Sequence, residues 1–247
     1  MELTVLGAGP AYTDREGASG SSYLVSDGDT RLLLDLGQGS FPRLFPHVHP
    51  AHLDAVLVSH LHPDHFIDLV PLRHFLCFEV EPPRRVRVIG PRELAARLDA
   101  LHGEPGFTAR SLDTETLGEE PRRIGTLDVR GRLVAHTDES YAIRISGDDG
   151  PGLVYTGDCG RTSDIAPLIR PGDTLLAEVS FGPGPVPPGV EHLDGPNVGR
   201  LAARTAPGRV LLTHLQMGFD PDETLATVRD FYAGPVEFVW PGSQIEL

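Results

Sequence analysis

The stretch Val58-Ser59-His60-Leu61-His62-Pro63-Asp64-His65 places four metal-capable side chains within six positions, in the order His-x-His-x-Asp-His. Leu57 and Val58 read as the end of a buried strand. Pro63 reads as the first residue of a helix, where a missing N–H costs nothing. The candidate ligands therefore sit on a strand-to-helix turn. On extended backbone His60 and His62 project to the same side, because side chains repeat every two residues. Once the helix begins, Asp64 and His65 can face back toward that pair. Adjacent helical residues do not share a face, so Asp64 and His65 suit a second ion better than they complete the first. Imidazole and carboxylate donors suit zinc, with manganese or iron as alternatives. The competing reading is a histidine-rich surface turn, and four donors at this spacing on a strand end make it the weaker of the two.

Around this turn, apolar runs predict strands at Leu3–Leu6, Ser22–Val25, Leu32–Asp35, Ala55–Ser59, Val86–Ile89, Leu127–His136, Tyr141–Ile145, Leu153–Thr156, Thr174–Val179, Val210–Thr213 and Val236–Val239. Helical patterns fall at Pro63–Phe75, Pro91–Leu101, Ile165–Ile169, Val198–Thr205 and Asp222–Tyr232. Some strands follow one another directly and others alternate with helices. Mixed sheets covered by helices fit that order, a layered α/β arrangement. The 247 residues are read as one domain, 1–247, with enough chain for a large core.

Three more donors fall at strand ends. His136 ends the run Arg132-Leu133-Val134-Ala135, Asp158 follows Val154-Tyr155-Thr156-Gly157, and His214 follows Val210-Leu211-Leu212-Thr213. Taken singly, Asp158 is a turn residue and the two histidines are half-buried polar groups. Their recurrence after apolar strands lifts them, since a rigid scaffold positions function on the loops beyond strand ends.

Charge narrows the partners. The chain carries 21 basic residues, all arginine, against 35 acidic ones, a net −14. Nucleic-acid binding normally rests on basic patches that displace counterions, so a long polyanion is disfavoured. A small anionic substrate can still bind at metal ions, whose local charge outweighs the distant surface. No apolar run approaches the roughly 20 residues of a membrane helix. The opening Met1-Glu2-Leu3-Thr4-Val5-Leu6 runs straight into a strand with no secretory pattern. Cys77 and Cys159 are too few for a disulfide framework. A cytoplasmic protein is the expectation.

The order His-x-His-x-Asp-His, then His136, then Gly157-Asp158, then Thr213-His214 resembles the metallo-β-lactamase fold hydrolases over essentially the whole chain. Leu6-Gly7-Ala8-Gly9 with Ser21-Ser22, and Leu34-Asp35-Leu36-Gly37, are similar to the branch containing ribonuclease Z and related phosphodiesterases. The resemblance implies a four-layered αββα sandwich of two mixed sheets, with the site at one edge. It implies His60, His62 and His136 on one divalent ion, Asp64, His65 and His214 on another, and Asp158 bridging them. It casts Asp35 as a brace of the metal loop. Glu178 and His192 resemble that branch's acidic residue and catalytic histidine. Breaking a P–O bond needs a proton for the leaving oxygen and a donor for developing charge, and a histidine oriented by a carboxylate supplies both. The plain alternatives are a salt-bridge partner and a residue at a helix start.

The implied activity is a binuclear metal-dependent phosphodiesterase acting through a metal-bridging hydroxide that Asp64 helps orient, with His192 as acid and Glu178 aligning it. Ribonuclease Z carries a transfer-RNA-gripping arm between its counterparts of His136 and Asp158. Here those residues lie 158 − 136 = 22 positions apart, room for one hairpin only. Transfer RNA is therefore not expected, and compact relatives acting on cyclic nucleotides or cyclic phosphates are the better match. A thioester or lactone hydrolase of the glyoxalase II-like kind would use the same ligands. A non-catalytic metal or ligand binding module is the reading from another class.

Other residues weigh less. His47, His49 and His52 form a rival pattern broken by Pro46 and Pro50, and read as a solvated loop. His74 and His102 read as structural or exposed, and Cys159 as a packed thiol. Ser140 and Arg144 lie close enough to His136 in sequence to touch a phosphate, although Arg144 reads equally as a strand-surface charge. The loops Phe181–Gly189 and Gly9–Gly20 are candidates for the mouth of a site. The stretch Pro71–Leu76 is either core or a dimer surface, which leaves a homodimer open.

Overall fold

A computed structural model describes residues 1–148 and 150–247. Among these residues, the first half of the chain builds six strands of one seven-stranded sheet, and the second half builds a second seven-stranded sheet and supplies the seventh strand of the first. Strands β1 (Glu2–Gly7), β2 (Ser22–Asp27), β3 (Thr30–Leu34), β4 (Ala55–Leu57), β5 (Val86–Gly90) and β6 (Leu112–Thr116) lie side by side in chain order. The second sheet runs through β7 (Arg122–Ile124), β8 (Leu127–Val134), β9 (Ser140–Ser146), β10 (Leu153–Tyr155), β11 (Thr174–Glu178), β12 (Arg209–Thr213) and β13 (Val236–Phe238). The last strand, β14 (Gln244–Glu246), returns to pair antiparallel with β1, Leu3 opposite Ile245.

The strands read as continuous apolar runs because both faces of each sheet are covered. In β3, Leu32 and Leu34 point into the core between the sheets, with Val25, Ile143, Tyr155 and Leu211. Leu33 points the other way, with Leu24, Val56, Phe66 and Leu72, against the first helical layer. The second sheet repeats this: Leu176 faces inward, while Leu175 and Ala177 join Val198, Leu201 and Val228 beneath the second layer. The order is helix, sheet, sheet, helix. Among the described residues no helix is long and apolar enough to cross a membrane.

The helices are α1 (Phe41–Leu44), α2 (Pro63–Phe66), α3 (Leu69–Phe78), α4 (Leu94–His102), α5 (Thr162–Ile165), α6 (Gly195–Thr205) and α7 (Pro221–Arg229). The single helix expected over Pro63–Phe75 is two. Pro71 inside one continuous helix would clash with the carbonyl four residues back. The chain instead breaks at Asp68, whose N–H donates to Leu36 O (3.0 Å) and whose carboxylate accepts from Phe41 N (2.9 Å). Pro71 then falls in the first turn of α3, where it is tolerated. Helix α6 begins at Gly195, ahead of Val198, because the Asp194 side chain caps it by accepting from Asn197 N (2.8 Å). Strands β6, β7 and β14 were not expected. β7 and β14 each pair with one neighbour, as does β6, whose side chains past Leu112 are exposed, so the ladder rather than an apolar pattern holds them. The His47–His52 segment is not a free loop: Pro50–His52 forms a 3-10 turn, and the ring of His49 packs against Phe75 at 5.5 Å.

Candidate metal centre

The side chains of this centre leave one edge of the two sheets. Asp35 follows β3, His60–His65 follow β4, His136 follows β8, Asp158 follows β10, Glu178 ends β11 and His214 follows β12. β3 and β4 are parallel, as are β10, β11 and β12. β8 and β10 both run antiparallel to β9, so they share a direction. C-terminal strand ends therefore open together, the place where α/β sheets gather ligands. The backbone bends sharply there. Asp35 (φ 56°) and His214 (φ 58°) occupy the left-handed region that non-glycine residues rarely adopt, a feature that collects at functional sites. Gly157 (φ 54°) precedes Asp158, and a Cβ there would lie 2.8 Å from the Tyr141 carbonyl oxygen.

Two groups of donor atoms with no member in common result. Those of His60, His62, His136 and Asp158 lie within 4.8 Å of one another, and so do those of Asp64, His65 and His214; Asp158, Glu178 and His192 meet the same limit and share Asp158 with the first. The outward nitrogens explain how the rings are aimed. His65 Nδ1–H donates to Asp35 (2.8 Å), and His136 Nδ1–H to the Glu191 carbonyl (2.8 Å). Ser59 gives its own proton to Asp35 (2.8 Å), so its oxygen accepts from His60 Nδ1–H (3.1 Å). Ser180 likewise donates to Glu178 and accepts from His214 Nδ1–H (3.0 Å). Each of these four rings thus spends Nδ1–H on the protein and turns the Nε2 lone pair inward, as partners behind a metal-binding histidine do.

The inward atoms fit divalent ions. His62 Nδ1 lies 3.1 Å from His60 Nε2 and 3.0 Å from His136 Nε2. His214 Nε2 lies 3.3 Å from His65 Nε2 and 3.2 Å from Asp64 Oδ2. Two donors each about 2.1 Å from one ion at a tetrahedral angle are separated by about 3.4 Å. Asp158 stands between the groups. Its Oδ2 faces His136 Nε2 (3.6 Å) and His60 Nε2 (3.8 Å), and its Oδ1 faces His65 Nε2 (3.4 Å) and His214 Nε2 (3.7 Å). Oδ1 is buried with no hydrogen-bond partner among the described residues, which is costly for a carboxylate oxygen unless a cation satisfies it.

Electrostatics agree. Burial and His65 hold the pKa of His60 well below the usual imidazole range, and burial with His136 lowers that of His62. Both are neutral, the form that ligates. Burial also opposes charge on His65 and His214, but Asp158 outweighs it and raises both. Asp158 itself stays ionised against burial because His214 and His65 hold it well below the carboxylate range.

Beside this centre, His192 Nδ1 donates to both oxygens of the buried Glu178 (3.1 and 3.2 Å) and lies 3.9 Å from Asp158 Oδ2. Its ring packs 4.7 Å from that of His136 and stacks 6.3 Å from that of His214. Burial opposes its protonation, yet the Glu178 bond and charge prevail and push its pKa up to about 9.

All nine residues singled out as ligands or catalytic groups, His60, His62, Asp64, His65, His136, Asp158, His214, Glu178 and His192, thus meet in one place. Asp35 braces that place through Ser59, His65 and Tyr155. Arg144 is a correction. It is buried and bound bidentately to Asp173 (2.9 Å for each bond), at the opposite end of β10 from Asp158. It has no free fork for a phosphate. Ser140 is likewise buried, bonded to Thr137 Oγ1 (2.6 Å). Of the two loops, Gly9–Gly20 lines the mouth through Pro10, Ala11 and Tyr12, while Phe181 places its ring 5.9 Å from His192. Ser59 and Ser180 carry more than the sequence suggested. Their only signal was nearness in sequence, Ser59 next to His60 and Ser180 two positions after Glu178.

Comparison with known proteins gives a consistent picture. The family model for a β-lactamase superfamily domain matches residues 30–215. The uncharacterized protein ML1173 of Mycobacterium leprae is 33% identical, over all of this chain and 89% of its own length. The probable metallo-hydrolase YhfI of Bacillus subtilis is 28% identical over 98% of this chain and 100% of its own. The crystal structure of YhfI, a metallo-β-lactamase fold protein, superposes with a TM-score of 0.88 at 26% identity, covering 99% of each chain. Zinc phosphodiesterase ELAC protein 2 of Macaca fascicularis is 24% identical over 88% of this chain, which spans 30% of that protein.

Proposed function

This chain belongs to the β-lactamase superfamily and has the metallo-β-lactamase fold, and from that premise we propose that it hydrolyses a small phosphodiester, such as a cyclic nucleotide or a cyclic phosphate, with two divalent ions, zinc first among the candidates. His60, His62 and His136 would hold one ion and Asp64, His65 and His214 the other, with Asp158 shared. Ions held there would supply Lewis-acid polarisation of the phosphoryl oxygens and would lower the pKa of a water toward neutrality. The protein's own groups do the rest. Asp64, buried on the lining of the cavity over the centre, is placed to orient the attacking water. His192, whose pKa is pushed up to about 9 by the bond and charge of Glu178 acting against burial, starts protonated at neutral pH and can give its proton to the leaving oxygen.

The observation that carries the choice of a phosphodiester is the Glu178–His192 pair. An alkoxide leaves as a much stronger base than a thiolate, so P–O cleavage gains from a held acid in a way that thioester cleavage does not; a lactone also expels an alkoxide, and against it the choice rests on the comparison below. The relative named a zinc phosphodiesterase supports the same choice and the same metal. Transfer RNA does not fit the proposal. The net charge is −14, and between His136 and Asp158 the chain holds β9, a short connection and β10.

The test is turnover of adenosine 3′,5′-cyclic monophosphate, whose leaving oxygen is a sugar alkoxide, by zinc-loaded protein, beside a thioester and a lactone. Removing a transition-state proton donor costs about 10²–10⁴-fold. His192→Ala should lose that much in kcat on the phosphodiester, and Asp64→Ala should lose turnover altogether. Turnover of the thioester or lactone alone, unchanged in His192→Ala, would contradict the proposal.

A further inference from the structure

A cavity of about 300 Å³ opens over the candidate metal centre, lined by Asp64, Asp158, His192 and His214 and bounded by Pro10, Ala11, Tyr12 and Gln216. That volume is at the lower end of small-molecule sites. The first three of these, with His214, carry the chemistry, and none of them is apolar. Tyr12 is the one six-membered aromatic ring among the described lining residues, the others being the imidazoles of His62, His192 and His214, and it is 71% exposed. A single exposed aromatic residue is ordinary on a protein surface. Two observations make this one different.

The first is its place, on the lip of a cavity whose floor is the reaction centre. The second is how the loop that bears it is fastened. Gln38 Nε2 donates to Pro10 O (3.2 Å) and Ala11 O (3.3 Å). On the other flank the Arg15 guanidinium donates to the carbonyls of Leu215 (2.6 Å), Phe219 (3.2 Å) and Gln216 (3.3 Å). These carbonyls belong to the segment that follows His214. The backbone closes the same junction, His214 N donating to Ala8 O (3.0 Å). Tyr12 is therefore carried on backbone tied from both sides to the metal centre, with little loop freedom left to lose on binding.

We propose that Tyr12 is a specificity residue, a stacking platform for a flat aromatic group on the substrate. The substrate class is then a nucleotide, with its phosphate at the metal centre and its base on the Tyr12 ring. This rests on the phosphodiesterase reading and sharpens it. Every nucleobase has a π-face, so the platform selects for a base and not among bases.

The experiment is calorimetric binding of adenosine 5′-monophosphate and of ribose 5-phosphate to zinc-loaded protein. The two ligands share sugar and phosphate and differ by the base. Stacking a base on an aromatic side chain corresponds to roughly 5- to 140-fold in affinity. The nucleotide should bind tighter than ribose 5-phosphate by at least about 5-fold. Tyr12→Ala should erase that ratio while leaving ribose 5-phosphate affinity and the melting temperature unchanged, and Tyr12→Phe should keep it. Equal affinity for both ligands in the wild type, or equal weakening of both in Tyr12→Ala, overturns the proposal. The two readings fail separately. No phosphodiester turnover with the ratio intact removes the phosphodiesterase and keeps a nucleotide site. Turnover without the ratio removes the platform alone.

Discussion

Asp35→Asn is the most informative single substitution away from the donor atoms. Asp35 is fully buried and its carboxylate accepts four hydrogen bonds: Ser59 N (2.7 Å), Ser59 Oγ (2.8 Å), His65 Nδ1 (2.8 Å) and Tyr155 OH (2.7 Å). Asparagine keeps the shape and replaces one acceptor oxygen with an NH₂ that meets donors. The Oδ2 side loses most, because Ser59, His65 and Tyr155 all converge there. The bonds are not additive. Breaking a buried charged contact of this kind costs about 3–5 kcal/mol. For a chain of this size each kcal/mol moves the melting temperature by about 2–4 °C, so the fall should be roughly 6–20 °C. His65 also loses the partner that turns its Nε2 inward, and loss of such a partner weakens metal binding about 10–100-fold. Scanning calorimetry on metal-free protein reads the first effect. Zinc competition against a chromophoric chelator reads the second. A melting temperature within about 2 °C of wild type, with unchanged zinc affinity, would refute the bracing role.

Two further expectations concern groups outside the donor set. Burial opposes charge on Asp173, but Arg144 and the N–H groups of Gly152 and Arg170 hold its pKa below the carboxylate range. A depressed carboxylate contributes stability above its unfolded pKa of about 4 and loses it as pH falls through the folded value. Urea denaturation should therefore show stability falling below about pH 4, and Asp173→Asn should lose about 3–5 kcal/mol at pH 7 and show a shallower acid limb; equal acid limbs would count against the pair. Cys159 is fully buried and its thiol is pushed up to about 12, by burial first and Glu178 next, partly offset by its bond to the Arg161 backbone. Since the thiolate is the reactive form, Ellman's reagent at pH 8 should leave Cys159 unmodified until the chain unfolds, and its labelling in folded protein as fast as that of half-buried Cys77 would contradict this.

Much of the centre was legible because its donors obey strand-end logic. His60, His136, Asp158 and His214 each follow an apolar run, and parallel strands bring such ends to one edge. Asp64 and His65 were separable from His60 and His62 by helical geometry alone. Pairing of the two groups across the sheets was not legible in residue spacing, since no local rule says that β4 and β12 open at the same place; it came from the family resemblance. Arg144 was misleading because its partner, Asp173, is 29 positions away and reached only through the pairing of β9, β10 and β11. The edge strands β6, β7 and β14 carry no apolar alternation to read. Asp68 broke the expected helix by bonding to Leu36 in the loop before α1 and to Phe41 at its start, contacts visible only in three dimensions. Tyr12 had no signal of its own beyond its place in the loop Gly9–Gly20. An aromatic residue in a glycine-containing loop acquires meaning only when Gln38 and Arg15 fasten it above the centre.

The most direct measurement is anomalous diffraction at the zinc edge from crystals of the zinc-loaded protein. Two peaks should appear, one among His60, His62 and His136 and the other among Asp64, His65 and His214, with the Asp158 carboxylate between them. Absence of both peaks, or zinc bound only away from Asp158, would contradict a shared two-metal centre.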